Sequence, residues 1–520
     1  MHDPAQLTWL DLAVLVAYLL IAVAIGLGLA RRERSTRDYF RASGRVPWWA
    51  AGLSLYGTKL STLTFIGIPA LVAKTNWSYF LGMVAAVAAV PLVRWLFLPL
   101  YRRLDITTAY AYLEQRFHRS VRLLGSGTFI VFHLGRAAIL MVLPALALAE
   151  VTTLTIYTSI ALMGVFSLIY TMLGGIEAVV WTDVMQVVVL VGGAFTAALI
   201  AVLSLDGGFS QFFEVAGDNQ KFALINPGWG ADRATAWVIF LGYGLSQFNL
   251  YISDQTLVQR YLTTRDERAA GRALWLNVLG ALPIQVLFYT LGTAMFVFYA
   301  SRPEMKPDVS TDDALVPVFL LQQLPIGLSG LVIAGIFAAG MSTIDSSMNS
   351  IATAVVSDFY RPTTTTRDDL RRLALARWVT LAVGALAVGG AMFVAAQGFD
   401  LLLNRFLDWL GMVMGVLGGV FVLGVLTTRT HWVGALTGLI VGALAVAVVR
   451  LAGVEAIVAL IPESWPAVRS WVSTLGALHF FLYSWVGMIG CVAAGYGVSR
   501  LVPINQPGLA GLTWHTRRSA

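Results

Sequence analysis

The stretch GLSLYGTKLSTLTFIGIP, residues 52–69, decides how the rest of the chain is read. It lies inside a long apolar region, yet it carries Gly52, Gly57 and Gly67, hydroxyls at Ser54, Thr58, Ser61, Thr62 and Thr64, a lysine at Lys59 and a closing Pro69. A lipid-facing helix has no use for that set. Glycines let a backbone unwind, and hydroxyls with freed carbonyls can replace the hydration shell of a small cation. Irregular backbone at membrane depth is tolerated only where protein or a watery cavity surrounds it. Interrupted apolar segments of this kind point to the binding site of a transporter. The plainer alternative, a small-residue helix-packing face, leaves Lys59 unexplained.

The flanking sequence fits. The 520 residues are 58% hydrophobic and 12% charged, with mean hydropathy +0.75, whereas soluble chains carry about 25% charged residues. The composition defines an all-α polytopic membrane protein whose first partner is the lipid bilayer. The net charge of +7 comes from arginines in short loops between apolar runs, so it does not indicate nucleic acid. The single cysteine, Cys491, cannot form an internal disulfide. The first apolar run follows an acidic start and ends in arginines, which reads as a retained span rather than a cleaved signal.

At about 20 apolar residues per crossing, the chain yields roughly thirteen spans, near 7–30, 47–72, 77–100, 122–150, 155–174, 178–204, 235–259, 273–300, 327–357, 375–398, 405–427, 432–452 and 476–500. Loops after the odd-numbered spans hold about 25 basic residues, among them Arg31–Arg45 and Arg260–Arg272, against about 8 in the others. The positive-inside rule therefore predicts an outside N-terminus and a cytoplasmic C-terminus. The largest loop, near 205–234, contains Asp206, Glu214 and Asp218 and falls outside. No soluble catalytic or signalling domain is expected. After the first span, residues 47–204 and 235–427 form two halves of five helices inserted in opposite senses, the arrangement of an inverted repeat. Two further helices occupy 432–500. The second half is expected to open with a polar interruption at Gly242–Asn249, GYGLSQFN.

Residues 337–349, FAAGMSTIDSSMN, form the second informative stretch. Ala339, Ser342, Thr343 and Ser346 are spaced i, i+3, i+4, i+7 and share one helical face. Their oxygens could join freed carbonyls of Gly57 and Leu60. Five neutral oxygens suit sodium, whereas calcium and magnesium sites recruit carboxylates. The competing reading is a packing seam whose hydroxyls bond back to their own helix. Arg136, in FIVFHLGRAAILMVLPAL, costs about 2.5–3.5 kcal/mol at mid-membrane on insertion scales. It must face a partner or an aqueous cavity, and its planar fork suits a carboxylate. His133, one turn earlier, reads as a packed, satisfied histidine. Asp183 begins an apolar run beside Trp181, which allows an inexpensive interfacial position; Asp345 is set deeper and could be neutralised by Lys59 or Arg136. There is no P-loop, GxSxG or histidine pair at metal spacing, so no enzyme is expected.

Several stretches together resemble the sodium/solute symporters: AYLEQRF at 111–117, GGIEAVVWTDVMQ at 174–186, DQTLVQRYLTT at 254–264 and FAAGMSTIDSSMNSIATAVVSDFY at 337–360. The resemblance runs from the first span to about residue 500. Within the family, GTKLSTLTF followed by Arg136 is most similar to the bacterial sialic acid transporters. The resemblance implies a LeuT-type 5+5 inverted repeat with extra flanking helices, in a bacterial cytoplasmic (inner) membrane. It implies Na+ as the coupling ion and a small organic solute, carboxylated or sugar-like, as substrate, with sialic acid foremost and no obligatory protein partner. One sodium site would comprise the carbonyls of Gly57, Leu60 and Ala339 with the hydroxyls of Ser342 and Thr343. A second would fall on Asp183, Ser342, Asp345 and Ser346. Substrate contacts would fall on Thr58, Lys59, Ser61 and Thr64, with Arg136 on the carboxylate and Tyr79 in an aromatic position.

Three residues depart from that pattern. Lys59 stands in place of a neutral amide, Asp345 in place of serine, and Met83 in place of a glutamine facing the sugar acid. Lys59 is expected to pair with Asp345, to replace a sodium, or to add a second cation for an anionic substrate. A sodium-independent or proton-coupled carrier, a membrane solute sensor and a leak channel of the same fold are the competing functions.

Overall fold

The computed structural model describes residues 8–30, 36–309, 315–323, 327–360, 366–397, 402–454, 458, 461–502, 504 and 508–517. Among them every regular element is helical, as apolar segments in lipid require, because a helix satisfies its backbone polar groups internally. Among the described residues ten helices are long and apolar enough to cross a membrane, or eleven if the bent pair Trp48–Lys59 and Leu63–Lys74 is taken as one span.

The two remaining expected spans are helical as well, but interrupted. The first runs into its successor without a loop, as Ile156–Leu203, and the break comes at Gly175, with φ 55° and ψ −159°. That conformation is open to glycine and strained for other residues. The second differs from expectation. Residues 242–249 are not unwound: a π-helical turn, Val238–Tyr243, passes directly into the helix Gly244–Ser253. The break lies later, at Asp254, with φ −80° and ψ 112°. Its Oδ1 accepts from the Thr256 N–H at 2.8 Å and the Thr256 hydroxyl at 2.6 Å, starting the next helix, Gln255–Leu262. Glycines made the earlier stretch look irregular. Gly242 and Gly244 instead permit close packing on Phe481 and Ala85.

The chain folds as two compact units. The first comprises Met1–Ser78, His133–Leu224 and Gln259–Phe406. Its centre is the helix Leu328–Ala354, buried along almost its whole length. The N-terminal N–H groups of that helix, which lack intrahelical partners, are met by the first span: Asp11 Oδ1 accepts from Gly327 at 2.8 Å and Gly330 at 2.7 Å. Glycines set other approaches. A side chain at Gly52 would meet Ala273 O at 3.0 Å, and one at Gly292 would meet Pro69 O at 2.5 Å. The loop helix Gly208–Asp218 leads to Lys221. Its ammonium donates to the carbonyls of Ala73 at 2.8 Å and Thr75 at 2.7 Å, capping the end of Ile68–Lys74 as cations favour. Burial pushes that ammonium down to about 8.

The second unit comprises Tyr79–Phe132, Ile225–Val258 and Leu407–Ala520. The helices Trp432–Ala452 and Tyr483–Leu501 pair along a glycine seam. A side chain at Gly442 would stand 2.7 Å from Gly487 O, and Cys491 is sealed against Gly419 and Gly438. Small residues at spacing four allow that approach in lipid. The AYLEQRF helix, Ala109–Arg116, closes one end. Tyr110 donates to Ser253 O at 2.8 Å, and Arg116 donates to the carbonyls of Gly424 at 3.0 Å and Thr427 at 2.8 Å.

Candidate cation and substrate site

The site lies in the first unit and starts from the break in the opening stretch. The helix Trp48–Lys59 ends at Leu60, with φ −75° and ψ 87°, and the two arms are bent by 64°. The N–H groups of Ser61 and Thr64 bond to the carbonyls of Lys59 at 3.1 Å and Ser61 at 2.8 Å. Gly57 and Leu60 would take those donors in a continuous helix, so their carbonyls are released. Gly57 O stands 3.4 Å from the Ser342 hydroxyl. At the next residue of the buried helix, the Thr343 hydroxyl donates back to Ala339 O at 3.2 Å, which is the back-bonding of the packing alternative. Glycine at position 57 lets the helix Trp48–Lys59 lie close to Val187 and Asp183, which a side chain there would meet at 3.1 Å and 3.3 Å. The structure thus brings Gly57 to Ser342 and keeps Ala339 with Thr343. These neutral oxygens are the donor type that suits a monovalent cation.

The second cluster is charged, and its centre was not expected. Asp183 is fully buried, not interfacial, so its cost must be met internally. Its Oδ1 accepts from the Ser342 hydroxyl at 2.5 Å and its Oδ2 from Ser54 at 2.5 Å. Arg260, assigned from sequence to a cytoplasmic loop, is also fully buried. Its guanidinium reaches Asp183 Oδ2 at 2.9 Å, the Ser346 hydroxyl at 2.6 Å and the Ser54 hydroxyl at 2.8 Å. Ser346 also donates to Asp345 Oδ1 at 3.3 Å. The expected second sodium set therefore gathers around an arginine. The one available signal was position: Arg260 and Gln259 lie inside DQTLVQRYLTT, before the basic loop resumes at Arg265. Gln259 donates to Phe40 O at 2.7 Å and Asn349 Oδ1 at 3.1 Å, holding the same helix from another side.

Arg136 is buried and donates through Nη2 to Thr58 O at 2.6 Å. One arm of its fork is thereby committed to the third carbonyl near the break. His133 is fully buried with Nδ1 3.2 Å from the Ser347 hydroxyl, a packed and satisfied histidine as expected. Ser61 is buried, Thr64 and Lys59 are half-buried, and Lys59 lies within Coulombic reach of Arg136. The Thr58 hydroxyl turns back on its own helix, donating to Ser54 O at 2.8 Å. Tyr79 belongs to the second unit, where its ring packs 6.0 Å from Phe481. Among the described residues no group of three or more His, Cys, Asp or Glu side chains forms a metal cluster.

An apolar helical chain with one broken helix opposed to a hydroxyl-bearing helix defines a multi-pass membrane transporter. The model of the sodium:solute symporter family matches residues 39–442, and the chain belongs to that family. It is 33% identical over 488 residues to the sodium/sialic acid symporter NanT of Aliivibrio fischeri, covering 94% of this chain and 92% of that one. It is also 33% identical to the sodium/sialic acid symporter SiaT of Proteus mirabilis, covering 94% of each. A solved sodium-coupled sialic acid symporter, substrate-bound and outward-open, superposes with a TM-score of 0.85 at 32% identity, covering 96% of this chain and 99% of that one. These relatives are transporters.

Proposed function

We propose that the protein is a sodium-coupled symporter that imports a carboxylated, sugar-like solute, sialic acid foremost, by alternating access. The observation that carries this reading is the Gly57 carbonyl facing the Ser342 hydroxyl across the helix break. Sodium bridging those oxygens, with Leu60, Ala339 and Thr343 completing the set, ties the broken helix to Leu328–Ala354. That link orders the backbone beside Ser61, Thr64 and Arg136, so sodium and solute bind each other's states more tightly, and the coupling is reciprocal. Thirteen crossings, an outside N-terminus, a 5+5 inverted repeat within 47–204 and 235–427, and a place in the bacterial inner membrane belong to the same reading. A tenfold sodium gradient contributes about 1.4 kcal/mol per ion, and each net charge crossing 100 mV contributes about 2.3 kcal/mol.

The test is uptake of radiolabelled N-acetylneuraminate into proteoliposomes, with an inward sodium gradient or with choline. Sodium-driven uptake at least tenfold above the choline control, lost in Arg136→Ala and in Ser342→Ala, is the expected result. Saturable uptake indifferent to sodium would remove the ion site from the mechanism.

A further inference from the structure

We propose that Lys221 is a positioning residue for solute binding: its ammonium clips the far end of the arm Leu63–Lys74 and so sets the direction of the arm that carries Thr64. The inference rests on the symporter reading for the solute contacts at Ser61 and Thr64, and goes beyond it in giving the loop near 205–234 a part in transport. The helix is interrupted at Leu60, so the second arm does not inherit its direction from Trp48–Lys59. It has to be fixed along its own length and at its far end. Along its length, Phe65 meets Phe288 edge-on at 5.6 Å and Pro69 lies against Gly292. Apolar contacts of this kind are non-directional, and they leave the arm able to slide or turn.

The far end is held by directional bonds. The helix Ile68–Lys74 stops at Thr75, with φ −113° and ψ −129°, which leaves its last carbonyls without intrahelical donors. Lys221 Nζ donates to Thr75 O at 2.7 Å, Ala73 O at 2.8 Å and Val72 O at 3.4 Å. The same ammonium stands 3.7 Å from the centre of the Phe296 ring, a cation–π contact with the helix Glu267–Ser301. Trp77, just beyond the arm, donates its backbone N–H to Lys221 O at 3.0 Å and its indole N–H to the Thr293 hydroxyl at 2.9 Å. Arm, loop and neighbouring helix thus meet at one side chain. The loop is shaped to deliver it. At the end of Gly208–Asp218, the N–H groups of Lys221 and Gln220 donate to Ala216 O and Gly217 O, each at 2.9 Å, the paired bonds of a Schellman turn. Its left-handed position holds glutamine, with φ 52°, where glycine is usual and a larger residue persists only if its surroundings fix it. The buried Phe212 reaches Phe222 at 5.9 Å, and Phe222 meets Trp77 at 5.6 Å. Burial lowers the Lys221 ammonium to about 8, which leaves it about nine-tenths protonated at pH 7.

The experiment pairs uptake of radiolabelled N-acetylneuraminate into proteoliposomes at pH 7, in sodium and in choline, with hydrogen–deuterium exchange of amides 63–75 without solute. Lys221→Met is expected to raise the solute KM at least about fivefold and to change the maximal rate less than about twofold, the pattern of lost binding rather than lost turnover. Exchange in the arm is expected to quicken. Lys221→Cys is expected to behave alike. Alkylation of that thiol with 2-bromoethylamine, which returns an ammonium at the reach of lysine, is expected to recover both readouts, and 1-bromopropane, which returns bulk without charge, to recover neither. The natural Cys491 is sealed and stays out of the reaction. Should Lys221→Met fail to fold, Trp77→Phe, which loses the indole donor and keeps a ring, is expected to give the same change in smaller measure. Unchanged KM and exchange would overturn the proposal, as would equal recovery with the two reagents or a lower maximal rate at constant KM. The same shift and recovery in choline would support the clip and count against sodium coupling. If the native protein takes up no N-acetylneuraminate, the sialic acid assignment falls, and exchange with its recovery decides the clip by itself.

Discussion

At the scale of single residues, the Asp183–Arg260 pair is a fully buried ion pair in the first unit, so neither side chain recovers hydration if the other is removed. Breaking a buried pair from one side costs about 3–5 kcal/mol, whereas replacing both partners with apolar groups is often neutral. Arg260→Met and Asp183→Leu are each expected to lower the thermal midpoint strongly in detergent, and the double variant to recover much of the loss. A double variant as unstable as the sum of the singles would show that the two groups act independently. Individual side chains were legible in the sequence where cost alone identified them. Arg136 in an apolar helix called for a partner or an aqueous cavity, and His133 one turn earlier read as a packed histidine, which its contact with Ser347 bears out. Arg260 was not legible, because an arginine next to a basic loop reads as part of that loop. Only the three-dimensional return of its helix toward Asp183 shows otherwise.

Among elements, the broken helix is held by contacts that leave no room for a side chain. On Glu267–Ser301, a side chain added at Gly292 would meet Pro69 O at 2.5 Å, while one added at Gly280 on the same helix would meet only Leu276, at 3.9 Å. Gly292→Ala is therefore expected to cost about 1–3 kcal/mol by overpacking and to slow transport by disturbing the arm that begins at Leu63. Gly280→Ala is expected to be neutral or slightly stabilising, since alanine is the better helix former. Thermal midpoints of the two variants, measured side by side, check this; equal effects would mean the seam at Pro69 yields freely. Elements were legible where composition and geometry agree, as at 52–69, where glycine, hydroxyl and proline all favour a break. At 242–249 the same residue types serve close packing, and the break is set instead by Asp254, whose carboxylate captures the next turn. Glycine alone does not distinguish unwinding from close approach.

For the whole molecule, the distribution of apolar length made the helical membrane class legible, and the basic loops give an expected orientation. The split of the chain into two compact units was not legible, since it depends on contacts far apart in sequence. The orientation predicts that a cysteine at Gly217→Cys, in the loop near 205–234, reacts with a membrane-impermeant maleimide from outside intact cells. One at Arg268→Cys is expected to react only after permeabilisation. The reverse pattern would invert the topology. Cys491 makes the experiment simple. It is the chain's one cysteine and has no accessible surface, pressed between Gly419, Gly438 and Gly442. The protein is in effect its own blank for thiol chemistry. Fluorophores or spin labels can be placed singly or in pairs without first altering the natural chain, and any signal that follows sodium or solute then comes from the chosen position alone.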